Sequence, residues 1–487
     1  MIIVGLSRSR RNFIMCRYGF LLALCLLPML RAGAQTPAAP PAKFDLPAID
    51  AYVAGQVKAK GFVGLSVAIM RDGKIIFAKG YGRRSIEKDL PVEPDTSFAV
   101  GSITKQFTCA CVFLLAEEGK LSIDDPVAKY FPHLTRAKDI TIRDLMNHTS
   151  GYPDYYPLDF LDRRMLKPIS FEAMCKDYAG VKLDFKPGTR FSYSNTGYVI
   201  LGGIVEKVSG KPFGEFLETR ILKPLKLAHS RFGTSKDLPL AATGYTSFAL
   251  GAPEPATPEA NGWIDAAGDL WASASDLLRW DLALVEGKVV KPESYKAMTT
   301  PRTLSTGKIS DYACGLAIGS FNGDTVIRHT GGVSGFVSGN SFIPRSKSGL
   351  VVLSNAEHVS ATKLRADLFE LLIKDIQESE APAVPKIDGP KPKEVVLEFL
   401  KQMTAGKVDR NQLGEEFSVY LTDARIKSGG ERLKALGEPT KIEVEPTHER
   451  GGMEVSTVKL TYKTAKVRAS LYRTPDGKIQ QLLFYGE

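Results

Sequence analysis

Apolar positions in the first four-fifths of the chain fall into two period-two groups separated by a long stretch of helical spacing. The first group runs from Val63 to Met70, turns at Arg71-Asp72-Gly73 and returns through Lys74 to Lys79, with Asp-Gly as the turn cue of a hairpin. The second begins near Ala313 to Ser320, turns at Asn322-Gly323 and returns through Thr325 to Arg328. Gly335 to Ile343 and Gly349 to Ser354 follow, joined by Pro344 to Ser348. Short connections favour antiparallel neighbours, so the pattern predicts one antiparallel sheet assembled from both ends of a domain. Between the two groups, apolar residues recur at helical spacing over Lys105 to Glu118, Ile142 to Met146, Tyr198 to Val208 and Ala274 to Val285. The expected architecture is α/β, an antiparallel sheet flanked by helices with an all-helical subdomain.

The remaining segments differ in composition. Residues 1–34 carry Arg8, Arg10, Arg11 and Arg17 ahead of an apolar run from Phe20 to Leu30 that is too short to span a bilayer, and Ala32-Gly33-Ala34 offers a cleavage site. They read as a signal peptide, by either the general or the twin-arginine route, and Met15 is an alternative start. Export to the periplasm or the extracellular space is expected, with no membrane span left after cleavage. Residues 35–45, rich in Pro and Ala, read as a tether, and the proline-rich stretch 379–393 as a linker. The expected hydrolase domain is therefore 46–378. Residues 394–487 form a small α+β C-terminal domain, with a helix from Val395 to Met403 and strands at Lys441 to Pro446, Val455 to Tyr462, Lys466 to Tyr472 and Ile479 to Phe484. No catalytic cluster is found there, and a lid, docking or packing role is expected.

The chain has 487 residues, of which 44% are hydrophobic and 24% charged, so an ordinary folded protein is expected. Half of the formal charge of +10 comes from the five arginines of the signal segment. No basic run interleaved with aromatics suggests a nucleic-acid partner. Of the six cysteines, Cys16 and Cys25 leave with the signal; the other four lack metal-ligand spacing and read as buried thiols. The histidines are scattered without H-E-x-x-H, so no metal or other cofactor is expected, and His148 reads as a turn-stabilising residue. No complete G-x-S-x-G exists for an α/β-hydrolase elbow. Trp263, Trp271 and Trp280 line a cleft or pack a core.

Candidate chemistry begins at Ser102-Ile103-Thr104-Lys105. A serine hydroxyl needs a base within reach, and a spacing of three puts both side chains on one helix face. Ser85, Ser305, Ser360 and Ser456 are also followed by lysine at the third position, but only Ser102 follows the strand-like run Phe98-Ala99-Val100-Gly101 and opens an apolar-periodic helix. That places its hydroxyl at a helix N-terminus, where free N–H groups favour developing negative charge. The loop Phe191-Ser192-Tyr193-Ser194-Asn195 runs straight into a second helix, and Tyr193 and Asn195 project the same way if it is extended. A phenol with an ordinary pKa near 10 serves as a base only if a cation such as Lys105 lowers it. His329-Thr330-Gly331-Gly332 ends the strand Thr325 to Arg328, and its glycines allow close approach of a substrate backbone.

In order and flanks, these three fragments resemble the motifs of the class C β-lactamase, D-alanyl-D-alanine carboxypeptidase, esterase and D-aminopeptidase family of serine hydrolases. Ser102/Lys105 matches S-x-x-K, Tyr193-Ser194-Asn195 matches Y-x-N, and His329-Thr330-Gly331 matches the third motif, K-T-G or H-x-G. Leu145-Met146-Asn147-His148-Thr149-Ser150-Gly151, Ala267-Gly268-Asp269-Leu270-Trp271 and Gly331-Gly332-Val333-Ser334-Gly335-Phe336 match as supporting text. The likeness covers roughly residues 46 to 378. It implies an acyl-enzyme route on amide or ester bonds of a small-molecule or peptide substrate: D-residue peptides, esters or β-lactams. Ser102 would attack, Lys105 and Tyr193 would relay its proton in an order left open, and His329 would close the site. Asn195 would hold the acyl side's amide. The backbone N–H groups of Ser102 and Gly332 would form the oxyanion hole, with Thr330 and Gly331 beside the substrate. Histidine where K-T-G has lysine is mostly neutral at pH 7, which predicts weaker carboxylate recognition and a preference for esters or D-residue peptides over β-lactams. The alternative is a penicillin-recognising sensor or cell-wall-peptide-binding protein with little turnover. Oligomeric state is left open.

Overall fold

The computed structural model describes residues 38–486, apart from 159, 234, 236, 237, 250, 322 and 381–383. The signal segment 1–34 and the start of the tether lie outside the described residues. A seven-stranded antiparallel sheet runs in the order Leu90–Pro91, Lys74–Ser85, Gly64–Arg71, Ser348–Ser354, Phe336–Ile343, Asp324–Val333, Ala317–Phe321. The early hairpin joins the late strands where Leu65 pairs with Ser354 and Met70 with Gly349, so the two sequence groups form one sheet. Gly64–Arg71 and Ser348–Ser354 sit in its middle and are buried almost throughout. Both therefore read as near-continuous apolar runs, as strands covered on both faces do.

One face packs on the helical layer. Its centre is the helix Thr104–Glu117, buried over most of its length and packed against Asn195–Ser209 and Asp265–Gly268. The other face is covered by Leu46–Lys60 and Thr362–Glu380, whose Ile49, Val53, Leu364, Leu368 and Leu372 close a second core with Val67 and Val352. Neither of these two helices was evident from the sequence pattern. Residues from Val395 to Phe484 build a third core, in which Pro392–Thr404, Glu415–Tyr420 and Asp423–Ala435 pack with a five-stranded antiparallel sheet. Helices reach a residue or two into the predicted linker from both sides, since one ends at Glu380 and the next starts at Pro392.

The strand-like run before Ser102 forms a short strand, Phe98–Ala99, which pairs with Ala272 and Trp271 in a small separate sheet. One local expectation needs correction. His329-Thr330-Gly331-Gly332 does not follow its strand: the strand runs unbroken over Asp324–Val333 because Phe336–Ile343 supplies pairing partners as far as Val333. The partner on the other side, Ala317–Phe321, pairs only as far as Arg328, which leaves that edge of residues 329–333 open.

Candidate active site

Ser102 lies in a single 3-10 turn, Gly101–Ile103, that leads into Thr104–Glu117. Gly101 enters the turn at φ +52, and Thr104 Oγ1 staples it by donating to the Gly101 carbonyl at 2.7 Å while accepting from the Leu270 N–H at 3.1 Å. The strand carrying the third motif presses against this turn backbone to backbone. A Cβ on Gly331 would stand 2.0 Å from the Val100 carbonyl oxygen and 2.9 Å from the Ser102 nitrogen, and a Cβ on Gly101 would meet the Gly332 nitrogen at 2.9 Å. Ser338 Oγ ties the two segments by donating to the Val100 carbonyl at 2.7 Å. The backbones of residues 101–102 and 331–332 therefore lie side by side next to the serine.

Lys105 is completely buried. Its Nζ lies 2.9 Å from Ser102 Oγ, 2.8 Å from Asn195 Oδ1 and 2.7 Å from the Ala267 carbonyl. It also stands over the rings of Tyr193 and Tyr198 at 5.0 and 5.2 Å from their centroids. Burial lowers its pKa from 10.5 to about 7, and the negative charge of Asp154 opposes part of that fall. Tyr193 is buried, and desolvation raises its phenol above the ordinary value despite the opposing influence of the nearby Ser102 hydroxyl. The condition set by the sequence for a tyrosine base, a lowered phenol pKa, is not met here.

Asn195 is the first residue of the helix Asn195–Ser209. Its Oδ1 accepts from Lys105, while its backbone N–H and Nδ2 donate to Asp154 Oδ1 at 3.0 and 3.1 Å. Asp154 was not singled out in the sequence; its one signal there is the aromatic run Tyr152-Pro153-Asp154-Tyr155-Tyr156 just after the Asn147-His148-Thr149-Ser150-Gly151 turn. His148 stabilises more than its own turn. With φ +57 it offers its carbonyl to the Ser192 N–H at 3.0 Å and its Nδ1 to the Ser194 N–H at 3.1 Å, and its ring lies 4.1 Å from that of Tyr193. Backbone and ring together clamp the loop that carries Tyr193.

His329 makes no hydrogen bond to Ser102, Lys105 or Tyr193 among the described residues. It is 6% exposed, and its ring centroid is 6.4 Å from that of Tyr193. Nδ1 lies 2.6 Å from the Thr330 carbonyl, which can only accept, so Nδ1 carries the proton and Nε2 accepts from the Tyr312 hydroxyl at 2.8 Å. Burial, with the Lys105 charge second, pushes its pKa down to about 3. The imidazole is therefore neutral and both nitrogens are engaged. Its backbone is fixed from below: Asn340 Oδ1 accepts the His329 N–H at 3.0 Å, and Asn340 Nδ2 donates to the buried Asp281.

A cavity of about 440 Å³ opens over the serine. Ser102, Tyr193, Asn195 and Gly332 line it together with Asp154, Glu357, Tyr155, Tyr156, Phe160 and Phe336; His329 does not. The three tryptophans are also absent from its wall. Trp280 stacks on Phe107 at 3.9 Å, Trp263 packs on Tyr155, and Trp271 packs on Phe336. Among the described residues no group of His, Cys, Asp or Glu is arranged to hold a metal ion. No helix there is long and apolar enough to cross a membrane. The four cysteines of the described residues are free and buried.

A buried lysine bonded to a serine in the wall of a cavity can perform nucleophilic acyl transfer, the chemistry of a serine hydrolase. The beta-lactamase family profile matches residues 49–373, and the chain belongs to that family of serine hydrolases. It is 29% identical over 326 residues to Protein flp of Staphylococcus aureus (strain COL), spanning 65% of this chain and 64% of that one. Among solved structures it resembles the octameric penicillin-binding protein homologue from Pyrococcus abyssi (26% identity, TM-score 0.59, covering 91% of this chain and 99% of that one). It also resembles a D-stereospecific amidohydrolase from Streptomyces sp. (26% identity, TM-score 0.57, covering 67% and 98%).

Proposed function

We propose that this is an exported hydrolase that cleaves amide or ester bonds of D-residue peptides and related esters through an acyl-enzyme on Ser102. The observation that carries the reading is the environment of Lys105 Nζ. Its neighbours Asn195 Oδ1 and the Ala267 carbonyl can only accept, so a neutral amine gives both its N–H bonds to them and keeps its lone pair for Ser102. A pKa of about 7 makes that neutral form abundant at working pH. Lys105, rather than Tyr193, is then the first base.

In this reading Lys105 takes the hydroxyl proton as Ser102 Oγ bonds to the substrate carbonyl carbon. The carbonyl electron pair moves onto oxygen, held by the Ser102 and Gly332 N–H groups. On collapse the bond to the leaving nitrogen or oxygen breaks, and that atom receives the proton from Lys105 through the Tyr193 hydroxyl. Water then enters by the same route in reverse to free the acyl group. Asn195, bonded to both Lys105 and Asp154, holds the base in place and lines the cavity over Ser102. Kinship with the Streptomyces D-stereospecific amidohydrolase supports the D-residue preference, and the arginines and apolar run of residues 1–34 support work outside the cytoplasm, in the periplasm or the medium.

The test combines kinetics with intact-protein mass spectrometry, using a chromogenic D-alanine ester, D-alanine amide and a penicillin. Wild type should turn over at least one of the first two through a transient acyl adduct on Ser102, and Ser102→Ala should lose both turnover and adduct. A stable adduct with no turnover of any of the three would favour the sensor reading instead.

A further inference from the structure

The reaction above makes no use of Glu259, although its carboxylate joins two walls of the cavity over Ser102. Tyr156 and Ser334 both line that cavity. Tyr156 belongs to the loop that carries Asp154 and that leans on the helical layer through the contacts of Tyr155 with Tyr178 and Trp263. Ser334 begins the turn between the third-motif strand and Phe336–Ile343. Glu259 Oε1 accepts from the Tyr156 hydroxyl at 2.8 Å and from the Ser334 N–H at 3.0 Å. One oxygen thus keeps the two donors, and the walls that bear them, within about 6 Å of each other. No hydrogen bond joins those two walls directly among the described residues.

The segment around Glu259 is itself anchored on both sides. Towards the sheet, Ser334 Oγ donates to the Thr257 carbonyl at 2.7 Å. Towards the helical layer, the Ala260 N–H donates to the Met165 carbonyl at 2.8 Å, the Asn261 carbonyl accepts from the Ile169 N–H at 3.1 Å, and Trp263 Nε1 donates to the Lys167 carbonyl at 2.7 Å. Gly262, at φ +89, lets the chain press onto that side, since a Cβ there would stand 2.0 Å from the Ile169 oxygen. The turn is held at its next residue as well, where the Gly335 N–H donates to the Glu357 carboxylate. Burial and the Glu259 charge raise the Tyr156 phenol above its ordinary value, so that hydroxyl remains a donor. Hydrogen bonds to an ionised acceptor are the strong kind, and Glu259 makes two of them across a gap.

We infer that Glu259 is a positioning residue that latches the Tyr156 loop to the Ser334 turn and so sets the width of the cavity over Ser102, which selects small acyl groups. The inference rests on Ser102 being the acylated residue and on this cavity, which Asn195 also lines, taking the acyl group. Without an acceptor at position 259, the Tyr156 hydroxyl and the Ser334 N–H both lose their partner and turn to water, which needs room between the walls. A bulkier acyl group then fits where the latched walls exclude it. Glutamine keeps a carbonyl oxygen that accepts both bonds, so the latch depends on the acceptor's position rather than on its charge.

The test uses chromogenic esters of D-alanine and D-tryptophan that share one leaving group. Wild type should favour D-alanine, and Glu259→Ala should raise the D-tryptophan to D-alanine ratio of kcat/KM about tenfold. Glu259→Gln should keep the wild-type ratio, and Tyr156→Phe, which removes one of the two bonds, should raise it about threefold. Taking the ratio within each variant cancels differences in the amount of folded enzyme. A second pair, D-alanine esters of a small and a bulky alcohol, should keep its ratio throughout. The latch is overturned by a wild type that favours D-tryptophan, by a ratio unmoved in Glu259→Ala, by an equal shift in Glu259→Gln, or by a shift in the alcohol ratio. If Glu259→Ala yields no active enzyme, an unmoved ratio in Tyr156→Phe overturns it. Full ester turnover by Ser102→Ala would instead overturn the acyl-enzyme reading, and it is measured independently of either ratio.

Discussion

Asp154→Asn should move the acidic limb of the pH–activity profile to lower pH. In the proposed mechanism Lys105 acts as the neutral amine, and its pKa of about 7 reflects burial opposed by the Asp154 charge. Only Asn195 separates the two groups, bonded to Lys105 Nζ at 2.8 Å and to Asp154 Oδ1 at 3.1 Å, so the charges stand roughly 7 Å apart. At an effective dielectric of about 20 their attraction is about 2 kcal/mol, and solvent at the half-exposed Asp154 brings it to about 1.4 kcal/mol, or one pH unit. Asparagine preserves an acceptor for the Asn195 N–H groups and removes only the charge. The midpoint of kcat/KM should therefore fall from about 7 to about 6. At pH 6 the neutral fraction of Lys105 rises from about a tenth to about a half, and activity relative to the plateau rises about fivefold. The assay is ester hydrolysis between pH 5 and 9 at sub-saturating substrate. An unmoved or upward-moved limb would refute Lys105 as the titrating base.

Gly331→Ala should fold but lose at least about a hundredfold in kcat/KM, because its Cβ would meet the Val100 oxygen at 2.0 Å and force the strand away from the Ser102 turn; circular dichroism alongside kinetics separates misfolding from a displaced oxyanion site. Burial raises the Asp281 pKa to about 8, against 3.8 for an ordinary aspartate. The folded state thus holds a proton that the unfolded state gives up, and stability from this group is full below pH 4 and lost as pH rises through 8. Asp281→Asn should flatten that decline and be more stable than wild type at pH 8.5, by at most about 6 kcal/mol, in urea melts at pH 5 and 8.5; a parallel decline in both proteins would contradict it. Burial pushes the Cys175 and Cys314 thiols up to about 12, and Cys109 and Cys111 are also raised. Thiol reagents at pH 8 should leave all four untouched in the native protein and modify them in denaturant.

Much of the sheet could be read from alternation and turn residues, because a strand's side chains answer to its own two faces. The nucleophile turn was likewise legible, since Ser102 and Lys105 are neighbours on one helix and their contact is local. The helices Leu46–Lys60 and Thr362–Glu380 escaped notice because what makes them part of the fold is the back of the sheet they cover, which does not exist until distant strands have paired. His329 was legible as a motif and as a mostly neutral group, but not its tautomer or partners: the Thr330 carbonyl and the Tyr312 hydroxyl that engage its two nitrogens are placed by the fold.

The sequence by itself determined the kind of chemistry, because nucleophile, base and phenol are written into short segments whose local geometry follows from a few residues each. Only the tertiary structure supplied what favours Lys105 over Tyr193 as the base, its burial and the charges and acceptors around it. Asp154 and Glu357 are far apart in the chain and ordinary in their own contexts, and they meet only in the wall of one cavity. A pKa or a binding subsite is a property of distance and burial, and both are set when remote segments meet.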